Sequence, residues 1–554
     1  MPTLCNIAKY LPEMAQKLPY QRAVVFPEGR DHTGRVAYTH LTYRQLNQEC
    51  DRYCHGLHSI GISRGTKVLL AVTPSLEFIA LTFALFKMGT VPVLIDPGMG
   101  KDNLLNCVAE VQPDALIGIP RAHVAKLIYR KPFQTVKQAV IVGKKGILPG
   151  ITLDSIRPTS CPEFPLAETQ ADDLAAIIFT TGSTGPPKGV MFTHGIFDAQ
   201  VRYIRDFYQI KEGELDLAGF PLFALFDVAM GMTCVIPDMD PTRPAEVDPH
   251  KIVETIENLG ITSAAGSPAI WDRVGKYSVD HQIKLPSLKR ILMFGAPVRP
   301  DILERFYRHI LTPAADTHTA YGATEALPVA SIAGSQVVTE TAEKTKRGAG
   351  TCVGMPFPDV EVKIIRISDE PIETWNGSLC VPPGTIGEIV IKGDIVTPAY
   401  YQRPDHTRLA KIYDAQGTIR HRIGDVGYFD ELGRIWYCGR KSHRVITASG
   451  TLFTVPCEGI FNDHPAVFRS ALVGVGERPN QQPVILIEKQ KESTRNISDT
   501  QLVDDIQKMA AANPLTKSIK TVLIYPGVFP TDIRHNAKIF REKLALWAAQ
   551  HVAA

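Results

Sequence analysis

Long hydrophobic runs are missing from these 554 residues. The most apolar window, residues 68–95, is interrupted by Glu77, Lys87, Gly89 and two prolines, which excludes the run of ~20 apolar residues that a membrane-spanning helix needs. It reads as a buried helix and strand. An excess of charge of one sign is also missing: 60 Lys and Arg face 57 Asp and Glu, a net of +3, which argues against nucleic acid as a partner. The short basic runs, Lys144 with Lys145 and residues 440–444, read as solvated surface. The ten cysteines, from Cys5 to Cys457, follow no repeating spacing, so there is no disulfide framework and a reduced compartment fits better. Cys50, Cys54 and His55 lie close together but have no second ligand pair, and they read as a helix face rather than a metal site. Residues 1–9 lack the charged and apolar regions of a signal peptide. The expectation is a cytoplasmic protein with no transmembrane segment. There is no internal repeat, no low-complexity tract, and no Gly-x-Gly-x-x-Gly fingerprint opening a helix.

What is present is an ordinary globular composition, 44% hydrophobic and 21% charged, in a chain long enough for more than one domain. Apolar positions at helical spacing predict a helix over residues 41–62. A strand at 68–72, a helix at 75–88 and a strand at 91–95 make a βαβ unit, hence a parallel sheet. The alternation recurs at 115–119 and 138–142, which points to a layered α/β architecture. A helix is expected at 192–208, an aromatic-rich turn at 220–232, and a strand ending in a glycine turn at 290–297. Residues 331–350 are polar and read as a loop. Alternating strands at 361–367 and 387–393 predict a local antiparallel sheet, continued by a hairpin over 421–438 that turns at 430–433. A boundary is expected at Gly439, Arg440 and Lys441, dividing the chain into 1–439 and 440–554. The second part carries its own strands and helices, enough for a small α/β domain.

The chemistry is concentrated after the apolar stretch 175–179. Thr180, Thr181, Gly182, Ser183, Thr184 and Gly185 place several backbone N–H groups and hydroxyls around one point, and Lys188 adds positive charge. Such a segment suits a polyphosphate. A Walker A loop is excluded because Pro187 replaces its second Gly and Gly189 follows the lysine where a hydroxyl is needed. A plain Gly/Ser turn is the bland alternative. Two further clusters follow in order: Tyr321, Gly322, Ala323, Thr324 and Glu325, which place a hydroxyl beside a carboxylate after a glycine, and the long segment from Gly424 and Asp425 to Arg440. Near the C-terminus, Lys538 lies eight residues after Pro530.

The loop at 179–190 resembles the signature loop of the adenylate-forming superfamily, which comprises acyl-CoA synthetases, luciferases and adenylation domains of peptide synthetases. The later clusters match the superfamily's motifs in the expected order from Leu41 to Arg541. The resemblance implies a large N-terminal domain of layered sheets and helices with a distorted β-barrel-like subdomain, and a small mobile C-terminal lid. It implies ATP and Mg²⁺ as cofactors. By it, Thr180 to Gly185 and Lys188 hold the phosphates, Gly295, Ala296, Pro297 and Gly322 help bind the nucleotide, and Tyr321 stacks on adenine. Thr324 meets the α-phosphate, Glu325 holds the metal, Asp425 and Arg440 bind the ribose, and Lys538 reaches the reacting carboxylate. These parts answer the needs of acid activation: a triphosphate cradle, a carboxylate for the metal, and a cation for charge developing on the α-phosphate.

Two departures bear on the second step. The segment 441–450 is one residue longer than usual before its glycine, where CoA ligases line a pantetheine tunnel and where the hinge, at Lys441 or Ser442, is expected. Ala224 stands where many ligases have a histidine after Pro-Leu-Phe. Residues 224–244, 347–354 and 437–445 are similar to one branch, the olefin β-lactone synthetases of bacterial long-chain olefin biosynthesis. That branch implies a long-chain 2-alkyl-3-hydroxy acid as substrate, β-lactone, AMP and pyrophosphate as products, and a complex with other olefin-biosynthesis enzymes. His194 and Asp227 are neighbourhood candidates for the base of ring closure. A long-chain fatty acyl-CoA synthetase or acyl-AMP ligase, and a non-catalytic nucleotide-binding scaffold, remain the rival readings.

Overall fold

A computed structural model describes residues 4–180, 185–490, 497–532 and 538–552. The first layer is a seven-stranded sheet. Its order runs Ile151–Thr152, Gln138–Ile141, Ala115–Gly118, Lys67–Ala71, Val91–Leu94, Leu174–Thr180, Lys188–Thr193, and every pairing but the last is parallel. These short strands are near-continuous runs of Val, Leu, Ile and Ala, the pattern of strands covered on both faces. Helix Leu76–Lys87 packs in the adjoining core and is buried from Phe78 through Lys87, with Ser75 capping its first turn. Lys87 ends that run in the interior, and its ammonium lies 2.7 Å from Asp51. A buried cation needs such a partner. Asp51 comes from helix Tyr43–Ser59, which starts at a capping box of Thr42 and Gln45. Cys50 and Cys54 lie buried on that same helix, and no cluster of three or more His, Cys, Asp or Glu suited to a metal ion occurs among the described residues.

A fourteen-stranded sheet forms the second layer. Strands Leu215–Ala218, Thr233–Val235, Ser263–Gly266, Arg290–Met293 and Asp316–Ala323 are its parallel centre. From Asp316–Ala323 onward it turns antiparallel, through Ala326–Ala333, Thr351–Pro356, Ile435–Arg440, Ile419–Phe429, Gly387–Lys392 and Glu361–Ile365. The barrel-like subdomain takes this form: an open antiparallel extension of the same sheet, with no closed barrel among the described residues. A separate three-stranded sheet, Val467–Val475, Gln482–Lys489 and Thr521–Ile524, carries the small C-terminal part. It has its own core around Leu472, Ile485, Leu502 and Ile506. Among the described residues no helix is long and apolar enough to cross a membrane.

Two expectations are corrected. Residues 331–350 are not a loop: strand Ala326–Ala333 leads into helical turns at Gly334–Gln336, Val337–Thr341 and Ala342–Lys346. Asp316 holds the first of these turns by accepting from the Ser335 N–H and hydroxyl. A Cβ at Gly334 would fall 1.9 Å from the Thr317 hydroxyl, so a side chain there would force that hydroxyl to move. Residues 220–232 are not merely a turn, because Phe223–Ala229 is a helix buried along its whole length.

That helix and the strand beside it enclose two carboxyl groups. Asp216 and Asp227 are both fully buried, and none of their four oxygens has hydrogen-bond geometry to a partner. Burial disfavours the charged form. It pushes the Asp216 carboxyl up to about 7 and the Asp227 carboxyl well above the usual range. In the unfolded chain an aspartate loses its proton near pH ~4. The native state therefore holds protons that the unfolded state has released, so this stabilisation is complete below about pH 4 and is lost as pH rises through about 7. Denaturant unfolding at pH 5 and pH 8 tests this: Asp216→Asn should lose less stability than the wild type between the two pH values. An equal loss in both proteins would contradict it.

Candidate active site

Three hairpins converge on one cavity of about 2830 Å³. The first joins strands Leu174–Thr180 and Lys188–Thr193, with Thr180 facing Lys188. Thr181, Gly182, Ser183 and Thr184 lie outside the described residues. Gly185, at φ +115°, is exposed and does not line the cavity, whereas Thr180 and Lys188 do. The Lys188 ammonium stands 5.0 Å from the centre of the Tyr400 ring. Burial lowers its pKa, opposed by the nearby Glu325 carboxylate.

The second hairpin joins strands Asp316–Ala323 and Ala326–Ala333. Ala323 pairs with Ala326, which puts Thr324 and Glu325 at the two-residue tip. The Glu325 backbone carbonyl accepts from the Thr397 N–H and hydroxyl, both at 3.0 Å. Its side chain accepts from the Tyr400 hydroxyl at 2.6 Å. Tyr400 therefore spans two motifs, with its ring against Lys188 and its hydroxyl on Glu325. The segment that carries it lies along the first hairpin, through Tyr401 N–H to the Gly189 carbonyl at 2.7 Å.

The third hairpin joins strands Ile419–Phe429 and Ile435–Arg440, and Asp425 and Arg440 are a cross-strand pair. The Arg440 guanidinium lies 3.1 Å from Asp425 Oδ1, and the Tyr321 hydroxyl donates to Asp425 Oδ2 at 2.7 Å. Asp425 is buried. Burial raises its pKa, while Arg440 and Tyr321 pull it down. Gly424, at φ +77°, makes the backbone turn that presents the carboxylate. Gly295, Ala296 and Pro297 follow strand Arg290–Met293 and line the same cavity, where Gly295 turns at φ +92°. Gly322, Tyr321, Thr324 and Glu325 also line it. Lys538 enters from the C-terminal part, anchored by its backbone N–H to Asp532 Oδ1 at 2.8 Å.

Tyr400, Thr397 and Lys411 escape a sequence reading. Lys411 is fully buried, donates to the Thr397 carbonyl and hydroxyl, and is pushed down to about 7 by burial. Nothing in the surrounding Leu-Ala-Lys-Ile marks it, because its partner is 14 residues away on another segment. The expected hinge residue Lys441 is tied into the large part: its ammonium donates to the Ser368 carbonyl at 2.7 Å and to Glu388 at 2.9 Å. Glu388 is fully buried and also pairs with Arg422. His194 and Asp227 are corrected as candidate bases. Both are buried away from the cavity, and burial drives the His194 imidazole down to about 4.

The residues present fit a magnesium nucleotide. Asp425 Oδ1 is buried without hydrogen-bond geometry to any partner, an acceptor that a ribose hydroxyl could satisfy. A single carboxylate at Glu325 is also what a magnesium site needs when phosphate oxygens and water fill the other positions.

A model of the family "AMP-binding enzyme" matches residues 11–401. An olefin β-lactone synthetase of Xanthomonas campestris is 46% identical over 557 aligned positions, covering 99% of this chain and 98% of that protein. One from Stenotrophomonas maltophilia is 44% identical, covering 98% of each. Among solved structures, an amide bond synthetase of Marinactinospora thermotolerans superposes with a TM-score of 0.77 at 21% identity, over 98% of this chain and 99% of that one. With the family match spanning well over half of its length, the chain belongs to the AMP-binding enzymes and is an AMP-forming ligase.

Proposed function

We propose that this ligase adenylates a long-chain 2-alkyl-3-hydroxy acid and then closes it to a β-lactone in the cytoplasm. The observation that carries this reading is the 46% identity, spread over 99% of the chain, to a β-lactone synthetase. The shape of the site supports it. Phe220, Phe223, Phe226 and Phe294 give the cavity an apolar, aromatic patch of wall, which suits alkyl chains.

In this reading the loop from Thr180 to Lys188 holds the β- and γ-phosphates of ATP. Asp425 and Arg440 take the ribose, and Tyr321 lies against adenine. Glu325 holds magnesium, which supplies positive charge to the phosphate oxygens. Tyr400 keeps the Glu325 carboxylate in place. Lys538 meets charge developing between the substrate carboxylate and the α-phosphate. A carboxylate oxygen attacks the α-phosphorus and pyrophosphate leaves. The substrate's own 3-hydroxyl oxygen then attacks the acyl carbon and gives up its proton, and the bond to AMP breaks. Tethering the nucleophile in the same molecule replaces an external thiol by proximity. In the same reading the boundary lies after Gly439, giving units 1–439 and 440–554, with the hinge at Lys441 or Ser442; Lys441 and Arg444 both contact the large part in this arrangement, through Glu388 and Asp369. The lactone product points to a lactone-consuming partner within an olefin-forming complex.

The direct test supplies ATP, magnesium and a 2-alkyl-3-hydroxy acid, with and without CoA, and analyses products by mass spectrometry. Lactone should form equally in both. A CoA-dependent thioester with no lactone would instead show an acyl-CoA synthetase, and no acid-dependent pyrophosphate release at all would show a non-catalytic binder.

Lys538→Ala should slow adenylation by roughly 10²–10⁴-fold and leave ATP affinity nearly unchanged, because the contact serves the transition state. Equal losses in both would contradict that role. Tyr400→Phe keeps the ring against Lys188 but removes a hydrogen bond to a carboxylate, typically worth ~1.5–3 kcal/mol. The magnesium concentration for half-maximal pyrophosphate release should rise about tenfold or more, with metal-free nucleotide binding unchanged. An unaltered magnesium dependence would remove Tyr400 from the metal site.

A further inference from the structure

Between Asp114 and Asp154 the chain carries no Asp or Glu, yet it has seven basic residues: Arg121, Lys126, Arg130, Lys131, Lys137, Lys144 and Lys145. All but Lys126 are exposed. An even overall charge conceals this local excess. The segment builds the end of the seven-stranded sheet, with helix Pro120–Ile128 between strands Ala115–Gly118 and Gln138–Ile141.

The rotation of that helix is set by His123, which is buried with Nε2 3.0 Å from the Val140 carbonyl. As a result Ala122 and Ala125, followed by Tyr129, line the active-site cavity. On another side of the helix, Val124, Leu127 and Ile128 are 40%, 46% and 64% exposed. Their i, i+3, i+4 spacing puts them in one stripe, with Arg130 and Lys131 following it, whereas Arg121 lines the cavity with Ala122 and Ala125. Ile147 is fully exposed beside Lys144 and Lys145, and Ile151 on the sheet's edge strand is 42% exposed. The neighbouring helix Lys101–Val111 carries two acids: Glu110, held by Arg403, and exposed Asp102, which lies 3.9 Å from Lys101, whose ammonium in turn stands 5.7 Å from the centre of the Tyr129 ring.

Single exposed apolar side chains are ordinary. A stripe of them followed by lysine and arginine, on a segment that carries no acid of its own, suits a helix lying in a bilayer interface, with apolar groups among the acyl chains and cations at anionic headgroups. The helix is also one wall of the cavity that would receive the alkyl chains, so a lipid surface at its outer stripe lies one helix away from the site. We propose that helix Pro120–Ile128, with the basic segment after it, docks the enzyme on an anionic lipid surface from which the water-insoluble acid enters the cavity. The docking rests on sequence and surface alone, while the route of entry rests on the proposed substrate.

The test is co-sedimentation of the full chain with phosphatidylcholine vesicles containing or lacking phosphatidylglycerol, in the absence of substrate. Binding should require phosphatidylglycerol and weaken as salt is raised. Both Leu127→Ser with Ile128→Ser and Arg130→Glu with Lys131→Glu should reduce it about tenfold or more. The same variants should turn over a short, water-soluble 3-hydroxy acid at the wild-type rate, which shows that they are folded. They should lag only when a long-chain acid is presented in vesicles. Absence of wild-type binding at low salt, equal binding to both vesicle types, or unchanged binding by both variants overturns the proposal. So does a wild-type dimer that either variant splits, because the face would then be an interface between copies. Vesicle binding is measured without substrate, so it can fail while lactone formation persists, and the reverse.

Discussion

A carboxylate removed from water is tolerated only where opposite charge and hydrogen bonds replace its hydration, and Asp425 is the point at which this protein meets that constraint. Tyr321 and Arg440 supply the replacement, from positions 104 residues before and 15 after it. The three groups fasten the last parallel strand of the large sheet to its antiparallel extension, at the place where the chain leaves for the C-terminal part. Remove the pairing and the carboxylate becomes an uncompensated buried charge. Keep it, and Asp425 Oδ1 is ion-paired with Arg440 at 3.1 Å yet accepts no well-aligned hydrogen bond from the protein.

A second knot lies next to the first. Tyr400 links Lys188 and Glu325, Thr397 holds the backbone of Glu325, and buried Lys411 holds Thr397. Each member fixes the next, so the tip of a two-residue hairpin turn, ordinarily a pliable place, is held in one position. This is how a fold can present a carboxylate on a turn without losing precision. The hinge region obeys the same economy. Glu388, wholly buried, is satisfied by Arg422 on one side and Lys441 on the other, which ties Lys441 to the large part.

In the proposed reaction the second nucleophile is part of the substrate, which shifts the burden of catalysis from a second binding site to the shape of one cavity. The aromatic wall of Phe220, Phe223 and Phe226 would hold the alkyl chains so that the hydroxyl faces the acyl carbon. A site that must accept so apolar a molecule needs a source of it as well as a pocket for it. A basic, partly apolar helix forming part of the cavity wall addresses both needs with one element.

Much of this was legible in the sequence because it is written locally. The βαβ alternation of residues 68–95, the Thr/Gly/Ser run after an apolar strand, the pairing of Thr324 with Glu325 after a glycine, and the hairpin turn at 430–433 each depend on neighbours within a few residues, so spacing alone reveals them. The order of those motifs determined the family. What only the tertiary structure decided involves partners far apart in the chain. Asp316 holds the first of the helical turns over residues 334–346, a segment that looks like a polar loop by composition. Burial removes His194 and Asp227 from the reaction despite their neighbourhood, and Tyr400 and Lys411 gain their places from segments they meet only on folding. Local periodicity encodes which element forms. Which side chains share a cavity is set by long-range packing and the desolvation of charges, and no stretch of sequence records that by itself.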